Sequence, residues 1–299
     1  MNWPLPCVRR NEPLANHTSF RIGGPAEWYA EPSTMDELLT LLRVAASNAL
    51  PVSTIGGGTN LLVPDRGVRG LVIRLGRDFR TVDVVPEESR ADKTALVRCG
   101  AAVMTQRLVT LAGQHGWDGL ELMAGLPGQV GGAVMMNAQQ IGRFVERVRL
   151  VTSGGELKTL DRDALHFAYR YASIDPGIVV DVLLRLPTME PAAAAARIQH
   201  ALRYRNDTQD THLPSAGCAF KNPPGASAGR LIDQAGLKGS RVGDAQVSLR
   251  HANFIINDGQ ATCDDVLSLM EHIQREVKRA FGVWLEPEVR LFGERWHAR

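Results

Sequence analysis

Apolar positions along the chain follow two spacings, and each spacing predicts a different element. Leu38, Leu41, Leu42 and Ala45 recur at helical intervals behind Thr34-Met35-Asp36-Glu37, a capping box in which Thr and Glu stand three apart. Residues 52–55 read as a buried strand running into Gly56-Gly57-Gly58-Thr59-Asn60, and residues 71–75, 81–85 and 95–99 read as further strands. The charged segment 86–93 joins the last two as a hairpin loop. Residues 105–114 form a short helix with Leu108 and Leu111 facing inward, stopped by Gly116. A glycine-rich loop over 124–138 precedes strands at 148–152, 156–160 and 178–186. A helix then starts at Pro191, a first-turn position that proline tolerates. Further on come a helix at 228–235, a strand at 253–257, and a long amphipathic helix from the capping box Thr262/Asp265 to Gly282. Val266, Leu269, Ile273 and Val277 line one side of that helix. Alternating strands and helices predict an α/β or α+β architecture.

Composition narrows the picture. A chain of 299 residues exceeds one ordinary core, so two or three domains are expected, with a boundary in the polar stretch that follows Asn206. The net charge of +2, without a Lys/Arg run, argues against nucleic acid as a partner. No apolar stretch reaches the ~18 residues of a membrane helix, and the N-terminus lacks the features of a signal peptide. Cys7, Cys99, Cys218 and Cys263 are scattered without a CxxC pair, which speaks for a reducing compartment, and the expectation is cytoplasmic. The eight histidines show no HxH or HExxH spacing, so no metal is expected.

The chemistry concentrates in glycine. Gly125, Gly128, Gly131 and Gly132, with Pro127 among them, allow a ligand close approach to the main chain and turn several amides one way, as a nest for polar or anionic groups. Gly56, Gly57 and Gly58 follow a strand but lack the GxGxxG fingerprint and the helix that should follow it. A tight turn is the plain reading of those three alone. Two glycine loops in one half of the chain point to a dinucleotide, one loop taking the pyrophosphate and the other approaching the ring system. Thr59, Asn60 and Asn137 are then polar contacts, although asparagines in turns commonly bond their own backbone.

GGGTNLL, AGLPGQVGGAVMMNA, AYRYAS, GCAFKNP, AGLKG, HANFIIN and LEPEV stand in the order found in the UDP-N-acetylenolpyruvoylglucosamine reductase family, which the chain resembles from about residue 16 to residue 293. The resemblance implies an α+β fold. A two-part FAD-binding domain of the vanillyl-alcohol-oxidase (PCMH) type spans 1–76 (with 289–299 returning) and 77–207, its PCMH-type region covering about 20–187. A substrate-binding domain follows over 208–288. It implies non-covalent FAD, NADPH as hydride donor, and reduction of the enolpyruvyl group of a UDP-sugar. Hydride addition leaves negative charge on the substrate's C2 and carboxylate, so the site needs cationic or donating groups and an acid.

Three residues match the family's catalytic positions. Arg170, in AYRYAS, would hold the carboxylate, which suits a permanently charged, two-pronged guanidinium; its bland reading is a salt bridge. Glu288, in LEPEV, would assist there, with Glu286 as the decoy. Cys218 stands where many members carry serine as the proton donor to C2. A free thiol, with a reference pKa of about 8.5, is far more acidic than an alcohol; its bland reading is a small buried hydrophobe. Lys221 and Asn222 are the expected contacts to the diphosphate. His251 reads as a packed, hydrogen-bonded histidine. Two departures stand out: Gln139-Gln140-Ile141-Gly142 replaces the usual Gly-Ala-Tyr-Gly, and the segment between Arg170 and Cys218 is too short for the tyrosine-bearing insertion of one branch. A flavin-dependent oxidase of the same superfamily and a flavin-binding module without chemistry are the alternatives.

Overall fold

The computed structural model describes residues 3–86, 93–209 and 212–293. It divides into two compact units: Met1–Arg9, Tyr29–Gly57 and Leu71–Arg205 make the first, and Arg10–Trp28, Gly58–Gly70 and Asn206–Arg299 the second.

The first unit is built on a five-stranded antiparallel sheet in the order Val82–Val85, Thr94–Gly100, Ile178–Pro187, Val145–Val151, Leu157–Asp161. The central strand shows why it sits there. Val180, Val182, Leu184 and Leu186 are buried at every second position, so one face of the pleat enters the core. On the intervening positions Asp181 accepts from Arg149 Nε at 2.7 Å and Arg185 Nε meets Glu146 at 2.8 Å. The Asp181 pairing pushes the Arg149 guanidinium further into its charged form. The strands flanking residues 86–93 pair as a hairpin, with Val82 opposite Cys99; residues 87–92 of that connection lie outside the described residues.

Helix α1 (Met35–Ser47) forms behind the capping box: Thr34 Oγ1 accepts from Glu37 N–H, and the Glu37 carboxylate accepts from Thr34 N–H. Its buried face is Leu38, Leu41, Leu42 and Ala45. Helix α2 (Thr105–His115) ends on Gly116 at φ +69, a left-handed cap open to glycine at little steric cost. Leu108 is buried there, but Leu111 is only half-buried, because Ala112 takes the inward position. The strand expected at 52–55 is shorter and less buried: Val52–Thr54 pairs in parallel with Leu71–Ile73, and of the four residues only Ile55 enters the core.

A larger correction concerns 124–138. This run is not one loop, since Val130–Met135 forms helix α3 within it. Glycine disfavours a helix interior by roughly 1 kcal/mol relative to alanine, so the composition hides the helix. Packing supplies what propensity lacks: Val130 N–H donates to Val103 C=O and Gly131 N–H to Ala101 C=O, both at 2.9 Å. Helix α4 (Pro191–Thr208) follows with Ala194 as its buried residue.

The second unit has a four-stranded antiparallel sheet in the order Ser215–Cys218, Phe254–Asn257, Ala245–Val247, Arg241–Val242. Helices α5 (Ala228–Gln234) and α6 (Cys263–Phe281) complete it. Helix α6 buries Val266, Leu269, Met270, Ile273 and Val277, each contributing about 1.5–3 kcal/mol of burial. Its capping box Thr262/Asp265 is reinforced by Asp65, whose carboxylate accepts from Cys263 N–H at 3.0 Å and Asp264 N–H at 3.3 Å. The early segment joins the same core through Phe20, Ile22 and Leu62. Arg290–Leu291 pairs in parallel with Leu61–Leu62, which ties LEPEV to the strand after the first glycine turn.

Candidate active site

In the first unit, α2 sets the shape of the glycine-rich run. Thr105 N–H donates to Gly128 C=O at 3.0 Å, the Gln106 side chain donates to Leu126 C=O at 2.8 Å, and Gln106 Oε1 accepts from Gly125 N–H at 3.0 Å. Gly125 (φ +72) and Gly128 (φ +116) take backbone angles that side chains oppose. Gly131 is required for packing, since a Cβ there would lie 2.9 Å from that of Ala101. With the amides of Gly125, Leu126, Val130 and Gly131 bonded inside the protein, the run is not the open nest of amides its composition suggests.

What this run offers outward is different. Gly132 is exposed, and nothing lies within 4 Å of the place its Cβ would occupy. Gln129, the N-cap of α3, is 5% exposed, yet its side-chain amide has no hydrogen-bond partner among the described residues. Its Oε1 lies 3.3 Å from the Cβ position of Gly56, which brings the two glycine segments of this unit together. The residue is buried as a whole, yet its amide keeps some contact with solvent, where a polar ligand can meet it. This arrangement fits a flavin: a flat polar group can satisfy the amide and lie against glycine backbone. Gln129 is the residue that sequence reasoning passed over. The only hint was a polar residue inside an otherwise small and apolar run.

Asn137 sits at φ +43, and its amide is engaged at both ends, donating to Ala168 C=O at 2.8 Å and accepting from Gly142 N–H at 2.9 Å. It anchors the hairpin formed by His166–Ala168 and Tyr171–Ser173. Gln139 and Gln140 also take positive φ, at 49° and 60°, so the departure from the family's usual residues is a strained bend. Arg170 occupies the two-residue tip of that hairpin at φ +56, with its guanidinium 5.2 Å from the Tyr169 ring. A non-glycine residue held in this region marks a position shaped by more than local preference.

In the second unit, the bulge at Gly217 (φ +74) brings Cys218 to the end of its strand, opposite Phe254, half-buried. Ala219 C=O then accepts from Glu288 N–H at 2.8 Å. Cys218 and Glu288 therefore flank a single shared peptide link. Asn60 donates from its side chain to Glu288 C=O at 3.2 Å, and its own C=O accepts from Arg290 N–H. Lys221 Nζ meets Glu286 Oε1 at 2.5 Å, and Asn222 Oδ1 accepts from Ala228 N–H at 2.9 Å. The fold of this unit thus gathers Asn60, Cys218, Lys221, Glu286 and Glu288 along neighbouring backbone. Gly58 (φ +62) backs onto His17 and Thr18, leaving no room for a side chain. Thr59 follows it, half-buried. The triplet is divided: Gly56 and Gly57 belong to the first unit, and Gly58, Thr59 and Asn60 to the second.

The three other cysteines are Cys7, Cys99 and Cys263. Burial, with Asp83 and Asp181 adding to it, pushes Cys99 up to about 12. Burial, helped by Asp65 and Asp264, does the same to Cys263. Cys7 is raised by burial and by Glu37. His251 is half-buried, its ring 4.7 Å from that of Phe254 and tilted by 50° to it. Among the described residues no group of three or more His, Cys, Asp or Glu side chains could hold a metal, and no helix is long and apolar enough to cross a membrane.

A family model described as an FAD binding domain matches residues 26–161. Together with the fold, this defines an α+β flavoprotein in which an FAD-binding domain of the vanillyl-alcohol-oxidase type precedes a smaller C-terminal domain. A second model, the UDP-N-acetylenolpyruvoylglucosamine reductase C-terminal domain, matches residues 208–292. UDP-N-acetylenolpyruvoylglucosamine reductase 2 of Symbiobacterium thermophilum is 44% identical over 292 residues, covering 96% of this chain and 92% of that protein. The reductase of Geobacter metallireducens is 43% identical, covering 96% and 94%. The crystal structure of the Thermus caldophilus reductase superposes with a TM-score of 0.79 at 37% identity, covering 95% of this chain and 98% of that one. The chain belongs to the UDP-N-acetylenolpyruvoylglucosamine reductase family.

Proposed function

We propose that the protein reduces the enolpyruvyl group of UDP-N-acetylglucosamine enolpyruvate to UDP-N-acetylmuramate, using non-covalent FAD and NADPH, in peptidoglycan precursor synthesis. The observation that carries this reading is identity of 44% across almost the full length of a reductase, joined to the shared peptide between Cys218 and Glu288. When bound, FAD supplies the hydride that adds to C3 of the substrate.

The chain's own residues handle the charge and the proton. Arg170 would grip the substrate carboxylate and stabilise the negative charge that spreads from C2. Cys218 would deliver its Sγ proton to C2, so that hydride and proton together consume the double bond; the thiolate is then reprotonated from solvent. Glu288 would hold the same carboxylate region from the neighbouring strand. Lys221 would serve the diphosphate by exchanging Glu286 for a phosphate oxygen, and Asn222 would act beside it through its amide N–H2. Gly56, Gly57, Gly58, Thr59, Asn60, Gly125, Pro127, Gly128, Gly131, Gly132 and Asn137 would form the FAD site, together with Gln129. Gly131 and Asn137 would act by shaping the run, since packing and hydrogen bonds already engage them.

In this reading 1–76 with 289–299, 77–207 and 208–288 are the three functional divisions. The protein works in the cytoplasm on a small nucleotide-sugar, without nucleic acid, membrane or metal. The visible spectrum of the purified protein tests it. Oxidised flavin bands should bleach anaerobically with NADPH and return on adding the enolpyruvyl sugar nucleotide. Bleaching without that return would leave the chemistry unsupported.

A further inference from the structure

Phe220 is completely buried, but the bulge at Gly217 takes its segment out of the ladder, and strand pairing with Phe254–Asn257 stops at Cys218. Asn253 replaces the missing strand. Its Nδ2 donates to Phe220 C=O at 2.8 Å, its Oδ1 accepts from Phe220 N–H at 3.0 Å, and its backbone C=O accepts from Ala219 N–H at 2.7 Å. The residue is 3% exposed.

On the other side, Ala219 C=O accepts from Glu288 N–H at 2.8 Å and Val289 N–H at 3.4 Å, and Lys221 N–H donates to Glu286 C=O at 2.8 Å. Phe220 also bridges to Pro287. The Ala219-Phe220 peptide is therefore clamped between Asn253 and residues 286–289. Cys218 precedes it by one residue, and Glu288 is bonded directly across it. An amide supplies a donor and an acceptor side by side and so stands in for a peptide group. An ionised aspartate at 253 keeps the acceptor for Phe220 N–H and loses the donor; a serine cannot bridge both.

We infer that Asn253 is a positioning residue for proton delivery, holding Cys218 in register with Glu288 through the peptide they share. This rests on the reading proposed above. In Asn253→Asp and Asn253→Ser, anaerobic bleaching by NADPH should stay within about twofold of the parent, because no group of the clamp belongs to the glycine segments. Reoxidation by the enolpyruvyl substrate should slow about 10–100-fold, a loss on the scale of a misplaced general acid. Its solvent deuterium isotope effect should rise as proton transfer becomes limiting. Alkylation of Cys218 by iodoacetamide, followed by peptide mass spectrometry, should change in rate while that of Cys7 does not.

Reoxidation within about twofold of the parent, or equal slowing of both half-reactions, would overturn the inference. If Asn253→Ser does not fold, Asn253→Asp and the alkylation rate carry the test, and an unchanged Cys218 rate in that variant equally refutes it. Failure of the functional reading looks different: the parent protein itself would not regain colour with substrate, or Cys218→Ala would keep full turnover.

Discussion

At the scale of residues, chemistry turns on what each polar group is already bonded to. Cys218→Ala should still be bleached by NADPH but turn over the enolpyruvyl substrate about 100-fold or more slowly, whereas Cys218→Ser should recover most of that loss; steady-state and half-reaction kinetics measure both. Gln129→Leu separates ligand from scaffold. The apo-protein should melt close to the parent, since no side-chain hydrogen bond within the described residues is removed. FAD, followed by flavin fluorescence, should bind about tenfold more weakly, the loss of roughly one hydrogen bond. Cys99 and Cys263 make a pH prediction. Their thiols are pushed up to about 12 in the folded protein, while unfolded thiols ionise near about 8.5. Above that pH the unfolded chain has shed protons that the folded chain retains, so stability is fully present below it and falls as pH rises toward about 12. Urea midpoints at about pH 8 and about pH 10 should show the decline, and Cys263→Ala should flatten it.

At the scale of elements, legibility follows locality. Both capping boxes, Thr34/Glu37 and Thr262/Asp265, and both left-handed stops, Gly116 and Gly282, could be read directly, because each motif is complete within a few residues. The strands Val8–Pro13 and Pro25–Ala30 and the Arg170 hairpin went unread. They are short, partly exposed and carry little apolar alternation. Helix α3 was hidden by its glycines and is held by carbonyls of Ala101 and Val103. The Asp65 cap on α6 was also invisible, lying 198 residues from Cys263. Asp65→Ala should destabilise the protein by about 1–2 kcal/mol in urea unfolding, the usual worth of an N-cap, and a loss well below that would make Thr262 the sufficient cap.

At the scale of the molecule, the chain passes from one unit to the other within GGGTN, between Gly57 and Gly58, so one motif serves two cores. Arg170 belongs to the first unit, and Cys218 and Glu288 belong to the second. Variants can therefore test each unit's part separately. Arg170→Ala should bleach with NADPH at close to the parental rate and regain colour with substrate about 100-fold more slowly. Loss of flavin from that variant would instead assign the hairpin to cofactor binding.

The order of its motifs determined the family to which the chain belongs, the class of cofactor and the residue types available for chemistry; its local capping patterns determined the principal helices. Those properties depend on residues close in the chain, where spacing alone sets geometry. Tertiary structure decided which polar groups serve as scaffold and which stay available. Asn60 is spent on Glu288, Asn137 on Ala168 and Gly142, and Asn253 on Phe220, while the side-chain amide of Gln129 has no partner among the described residues. Hydrogen bonds between residues tens to hundreds of positions apart exist only once burial has removed the competing water, and no local pattern encodes that outcome.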